Sequence, residues 1–169
     1  MASSILTVPT DENLSRLAKR FKEVDPSAIR TVHLFVHAAT ELSNDIEKFF
    51  ARHGLSTGRF SAMMILFRDT GRGLRQNEVA DVLGVKPATM TGLIDGLEKQ
   101  GFVRRENDPS DRRGTIVRLT PAGVKILEKI APDYFTRMSQ LMKSFSPSER
   151  SAFSKYLDKA RGNIGAMTL

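Results

Sequence analysis

Arg112 and Arg113 follow a run dense in turn-forming residues, Asn107-Asp108-Pro109-Ser110-Asp111. Two guanidiniums on a loop tip can enter the minor groove of a duplex, whose negative potential attracts arginine. The plain alternative is a solvated turn. Upstream lies a second set: Lys86, Pro87, Ala88, Thr89, Thr91, Gly92 and Asp95. Lys86 supplies charge. Pro87 and Ala88 make only apolar contacts, for example with thymine methyl groups, and Thr89 and Thr91 can bond bases or phosphates. His33 and His37 stand four apart, with Glu41 continuing the row. That helical spacing can hold a metal. A full site needs further ligands, and His53 is the one other histidine. Surface or interface histidines are the simpler reading, so no metal and no cofactor is expected. The absence of cysteine excludes a disulfide framework, a thiol nucleophile, a Cys-based zinc site and a thiol redox switch. No nucleotide-binding glycine motif is present, and no Ser-His-Asp set has supporting spacing. Carboxylate spacing selects no acid–base pair. An enzyme is not expected.

The elements that must position these groups are written in caps and periodicity. A polar residue before a Pro or at an N-cap starts a helix. Asp25-Pro26 opens a helix to about Arg52, with apolar residues at Ile29, Val32, Phe35, Val36, Ala39, Leu42, Ile46, Phe49 and Phe50. Ser56 caps a second helix, Thr120-Pro121 opens a third that Pro132 should kink, and Ser146-Pro147-Ser148-Glu149 is a capping box that opens a fourth. Before them, DENLSRLAKRFKEV suits a short amphipathic helix through Leu14, Leu17, Ala18 and Phe21, after ten residues expected to be disordered. Residues 75–100 read as two short helices joined at Leu83-Gly84-Val85. Two β-like runs, 102–105 and 115–119, follow as a hairpin.

Gln76 to Leu97 has the pattern of a helix-turn-helix. Ala80 is small where the helices cross, and Gly84 supplies a left-handed turn. Val79, Leu83, Val85, Met90, Leu93 and Leu97 form the shared apolar face. The second helix presents Lys86–Thr89, Thr91, Gly92 and Asp95 toward a major groove. A basic hairpin directly after such a motif is a wing.

The run DPSDRRGTIVRLTPAG, Asp108 to Gly123, resembles the wing of the MarR family of bacterial transcription regulators. Asp111, Arg113, Val117, Leu119 and Thr120 meet the form D-x-R-x-x-x-(V/L)-x-L-T, and Leu93 to Arg105 resembles the family's recognition helix passing into its first wing strand. Lys86-Pro87 departs from the capping Ser of many members. The resemblance implies a homodimer whose two winged helices read a pseudo-palindrome, with half-sites about 34 Å apart. It implies that Asp111 holds the wing through an ion pair with an Arg and that Arg113 enters the minor groove. It also implies a small aromatic or anionic effector bound between the dimerisation region and the winged helix. His37, Arg59, Phe60, Met63 and Phe67 are the candidates for that pocket, and the Phe and Met residues serve equally well as core.

The expected fold is mainly α with a small β-hairpin wing: a winged helix-turn-helix plus a helical dimerisation region. Residues 1–24 form an N-terminal extension, partly disordered or a short helix. Residues 25–55 and 120–169 form the dimerisation region, and residues 56–119 the DNA-binding unit. The expected function is sequence-specific transcription regulation as a ligand-responsive repressor on double-stranded DNA; the alternative is a winged-helix protein-interaction module without specific DNA binding. No apolar run approaches the roughly 18 residues of a membrane span. The N-terminal run has no basic stretch leading into an apolar one, so a cytoplasmic location is expected. The net charge is +7, which suits an acidic partner. Of that, residues 75–118 carry only +1 and residues 119–169 carry +4. Placement of a few cations therefore matters more than the total.

Overall fold

The computed structural model describes residues 9–69, 73–108 and 111–167, with the backbone alone described at 111–113, 166 and 167. In chain order the elements are α1 (Asp11–Arg20), α2 (Pro26–Ala51), α3 (Thr57–Arg68), β1 (Leu74–Arg75), α4 (Gln76–Leu83), α5 (Pro87–Lys99), β2 (Val103–Asp108), β3 (Asp111–Leu119), α6 (Pro121–Leu141), α7 (Pro147–Asn163) and a short 3₁₀ turn, Ile164–Met167. This is the mainly helical architecture with a small sheet that the sequence implies.

The caps set the helix starts. Asp25 accepts from the amides of Ser27 and Ala28. Ser56 accepts from Arg59 N, and Thr120 from Gly123 N. Ser146 and Glu149 exchange both bonds of a capping box. The Glu149 carboxyl titrates below its ordinary range because the Ser146 backbone and hydroxyl bond it. α6 continues through Pro132 to Leu141. Of the N-terminal extension, α1 forms the short amphipathic helix: Leu14 is buried, and Asp11 pairs with Arg30 of α2. Residues 1–8, expected to be disordered, lie outside the described residues.

The core sits where α3, α4, α5, the sheet and the start of α6 meet. Phe50, Met63, Val79, Met90, Ile94, Leu97, Val103, Val117, Leu127 and Ile130 are almost wholly excluded from solvent. The Phe50 and Phe60 rings stack at 4.2 Å, and Tyr134 of α6 closes on both. Ile94 was not among the residues assigned to the helix-turn-helix core from sequence, yet it is fully buried. The connection from α2 to α3 is tied by Glu47, which accepts from the Thr57 hydroxyl at 2.6 Å and the Thr57 amide at 2.9 Å. Those two bonds hold the Glu47 carboxyl below its ordinary range.

The hairpin is larger than its sequence pattern. β2 and β3 pair antiparallel from Val103↔Leu119 to Asn107↔Thr115, with an irregularity before Asp108↔Asp111. A third strand, β1, pairs Leu74↔Val117 and Arg75↔Ile116, so the sheet order is β1-β3-β2. Two residues are too few to show a period-2 pattern, which is why β1 is absent from the sequence reading.

Gly84 adopts φ +69 as the αL cap of α4, the left-handed turn that a helix-turn-helix needs. Gly123 has a different reason. The Phe102 carbonyl, which accepts from the Thr120 amide, lies against its Cα, and a Cβ would collide with that backbone. This contact locks the hairpin to α6. Gly123→Ala should lower unfolding free energy by about 1–3 kcal/mol, the usual overpacking cost. Gly162→Ala, where a Cβ meets nothing within 4 Å, should leave stability unchanged or slightly raised. Urea denaturation of the two variants measures the contrast.

Candidate nucleic-acid interface

The face of α5 away from the core is bare. Lys86, Pro87, Ala88, Thr89, Thr91 and Gly92 are all exposed. Lys86 is the N-cap, with no side-chain cap bond, and Pro87 occupies the first turn. The first amides of α5 therefore carry no side-chain cap, and a helix start in that state favours phosphate oxygens.

The inner side of α5 is fastened polar group by polar group. Asp95 is half-buried, and its carboxylate accepts from Arg105 of β2 at 2.6 Å. Glu98 accepts from the Arg105 amide at 3.1 Å and pairs with its guanidinium. The Arg105 nitrogen that bonds Asp95 also reaches Gln76 Oε1 at 3.3 Å. Gln76 in turn donates to the Thr91 hydroxyl at 2.6 Å. Burial pulls the Arg105 pKa down; the bonds and charges of Asp95 and Glu98 outweigh it, so the group titrates above its ordinary value. Asp95 thus stands in the structure as a tether of the recognition helix. Two close contacts with glycines complete the seat. Leu93 packs against Gly58 of α3, where a Cβ would come to 3.1 Å, and the Arg59 guanidinium lies on Gly96, where a Cβ would collide with it.

The wing is anchored from β1. Arg75 donates to Asp108 from Nε at 2.9 Å and from a terminal nitrogen at 2.7 Å. Asp108 is a buried charged residue, both Arg75 nitrogens converge on its Oδ2, and a cation is the partner such a carboxylate needs. The side chains of Asp111, Arg112 and Arg113 lie outside the described residues, so the wing-holding role expected of Asp111 has no described geometry; Asp108 fills such a role. Glu106 of β2 pairs with Arg118 across the hairpin and with Arg104 on its own strand. Gln76, Arg105, Arg75 and Asp108 were not singled out from sequence. Their partners are 7 to 33 residues away along the chain, beyond any local pattern.

The five candidate effector residues are not gathered around one opening. Phe60 and Met63 are buried core. Phe67 is exposed and lines a cleft with Leu66, Val117 and Leu119. Arg59 packs on Gly96. His37 faces Glu41 at 3.4 Å. His33 Nδ1 bonds the Ile29 carbonyl at 2.8 Å. Among the described residues no group of three or more His, Asp or Glu is placed to hold a metal, and no helix is long and apolar enough to cross a membrane.

A bare helix face beside an anchored hairpin is the geometry of a winged helix, and comparison with known proteins agrees. The MarR family model matches residues 55–115. The transcriptional repressor YetL of Bacillus subtilis is 31% identical over 150 residues, covering 89% of this chain and 90% of its own. This chain belongs to the MarR family. Its members are transcription regulators and not enzymes, and the chain is a DNA-binding regulator of that kind. A MarR-family regulator from Silicibacter pomeroyi shares 30% identity and a TM-score of 0.61, over 79% of this chain and 89% of that one. Sco3205 of Streptomyces coelicolor, solved in complex with DNA, shares the fold at a TM-score of 0.71 and 23% identity, over 92% of this chain and 89% of that one.

The anchoring of the wing is testable. Arg75→Ala leaves Asp108 buried with one cation fewer, whereas Asp108→Asn removes the buried charge itself. Arg75→Ala should therefore be the more destabilising, by about 1–3 kcal/mol after discounting for the exposure of Arg75. Chemical denaturation of both single variants and the double variant measures the coupling.

Proposed function

We propose that this regulator works as a homodimer that binds a pseudo-palindromic operator and represses until a small anionic or aromatic effector releases it. The single observation that carries the DNA-reading part is the exposed start of α5 beside the β2–β3 hairpin. In this reading Lys86, Thr89 and the first amides of α5 meet phosphates and base edges, and Arg112 and Arg113 on the wing enter the adjacent minor groove. Residues 56–119 are the reading unit. Residues 25–55 and 120–169 are the arms that hold two such units apart.

The state of the arms supports a second copy. α2 has 26 residues, and only Phe49 and Phe50 at its end are buried; α7 buries none of its residues. Val32, Leu34 and Phe35 of α2, Phe135 and Leu141 of α6, and Phe153 and Tyr156 of α7 are exposed, Tyr156 to 70%. Apolar surface on this scale marks an interface. Two chains together carry +14, twice the +7 of one, and that field attracts a duplex from a distance.

Support for an effector comes from a cleft of about 420 Å³ between α2 and α6. Phe49, Tyr134 and Met138 form its apolar walls, and Arg52, Lys48, paired with Asp45, and Arg137, paired with Asp133, also line it. The Arg137 guanidinium lies 5.5 Å from the Phe49 ring. Rings beside cations suit an aromatic carboxylate. The five residues singled out in sequence are not among its lining residues.

A duplex selected from a random library should contain two related half-sites, and the complex should sediment with two copies of the chain. Binding should fall about 10³–10⁵-fold between 50 and 200 mM salt for six to ten phosphate contacts. Replacing Arg112 and Arg113 together by Ala should weaken it and flatten the salt slope. Unchanged affinity in that double variant removes the wing from the reading.

A further inference from the structure

α5 contains two glycines one turn apart, and they differ. Gly96 has a reason inside the protein: the Arg59 guanidinium rests where a Cβ would stand, and a side chain there would make that flexible group move. Gly92 has no such reason. A Cβ there meets nothing within 4 Å, its φ is ordinary, and it sits mid-helix on the exposed face. Glycine in a helix interior weakens the helix relative to alanine. That cost has no return within the chain. It has one if another body approaches the helix closely at residue 92.

Thr91, beside it, is exposed but its hydroxyl is occupied. A threonine hydroxyl has one proton to donate and two lone pairs. Oγ1 donates to the Pro87 carbonyl at 3.1 Å and accepts from Gln76 Nε2 at 2.6 Å. Gln76 is itself oriented by Arg105. Thr91 therefore has no proton for a base acceptor unless it gives up Pro87. Fixing Oγ1 also fixes the direction of the methyl group on the same carbon. Pro87 and Ala88 have no side-chain polar atom.

We propose that this low apolar seat, formed by Pro87, Ala88, the Thr91 methyl and the gap at Gly92, reads thymine methyl groups on the floor of the major groove, and that Gln76 is the positioning residue that turns the Thr91 methyl outward. The proposal rests on the DNA-reading function above and specifies its chemistry: an apolar readout of thymine by the recognition helix, with the proton of the Thr91 hydroxyl used inside the protein.

The experiment uses the full chain and a duplex selected from a random library at low salt. Each thymine is then replaced by deoxyuridine, which removes only the methyl. At one or two positions in each half-site affinity should fall about fourfold, the value of one buried methyl-sized group. Thr91→Ser keeps the hydroxyl bonds and loses the methyl, so it should abolish the distinction between thymine and uracil at one of those positions. Thr91→Val keeps a methyl and should preserve it. Gly92→Ala should raise the melting temperature by about 2–4 °C while weakening binding at least about tenfold. Equal affinity for the thymine and uracil duplexes overturns the proposal. So does the reverse pattern, with Val losing the distinction and Ser keeping it, or a Gly92→Ala variant that binds as tightly as the parent. A library that yields no preferred duplex overturns the DNA-reading function itself, and this proposal with it.

Discussion

The guanidinium of Arg105 lies between the carboxylates of Asp95 and Glu98 and the amide oxygen of Gln76. It thereby joins the first wing strand to both helices of the helix-turn-helix. Three acceptors around one planar cation suit arginine's fixed fork of donors, which a flexible ammonium cannot reproduce. The arrangement has an electrostatic logic as well. Asp95 and Glu98 face the same side of α5, three residues apart, and without a cation between them they would repel. With Arg105 in place they become fixed points on the inner side of the helix. The outer side can then be left bare without letting the helix roll.

Apolar packing alone would not give that precision. Met90, Ile94 and Leu97 are buried at the turn-by-turn spacing of a core face, but a helix seated only on such a stripe can slide or rotate by a few degrees. The close contact of Leu93 on Gly58 limits that freedom, because glycine lets the opposing group approach the backbone itself. The same device recurs where Phe102 meets Gly123. Glycines whose Cβ position is filled by a neighbour thus mark the joints that fix the reading unit.

How much of this was legible in the sequence follows from distance along the chain. The caps at Asp25, Ser56, Thr120 and Ser146 act over two or three residues, so local pattern found them. Gly84 was legible for the same reason. The wing was legible through its turn residues and family signature, but not its anchor. Arg75 and Asp108 are 33 residues apart, and neither has a neighbour that announces the pairing. The effector candidates show a different limit. Aromatic and Met residues at helical spacing describe a wall and a core equally well, and burial alone does not sort them: Phe60 and Met63 lie in the core, and Phe49, buried as well, lines the α2–α6 cleft beside Tyr134 and Met138. The net charge was a weak guide: residues 119–169 carry +4 of the +7 and residues 75–118 only +1, so where single groups stand on α5 matters more than the total.

A regulator of this build must satisfy two requirements that oppose each other. Its reading helix needs polar anchors to be rigid, and polar groups on that helix are also what a base edge would bond. The chain resolves the conflict by direction. Asp95, Glu98 and the Thr91 hydroxyl are all turned to partners within the protein. Each anchor used internally is one polar contact fewer for the groove. Rigidity is therefore obtained by narrowing the chemical vocabulary of the exposed face toward methyl groups, backbone amides, the Thr89 hydroxyl and a single lysine. Discrimination on such a face comes from shape and apolar fit, and shape is read reliably only by a helix that does not move. The polar network behind α5 and the apolar simplicity in front of it are consequences of one constraint.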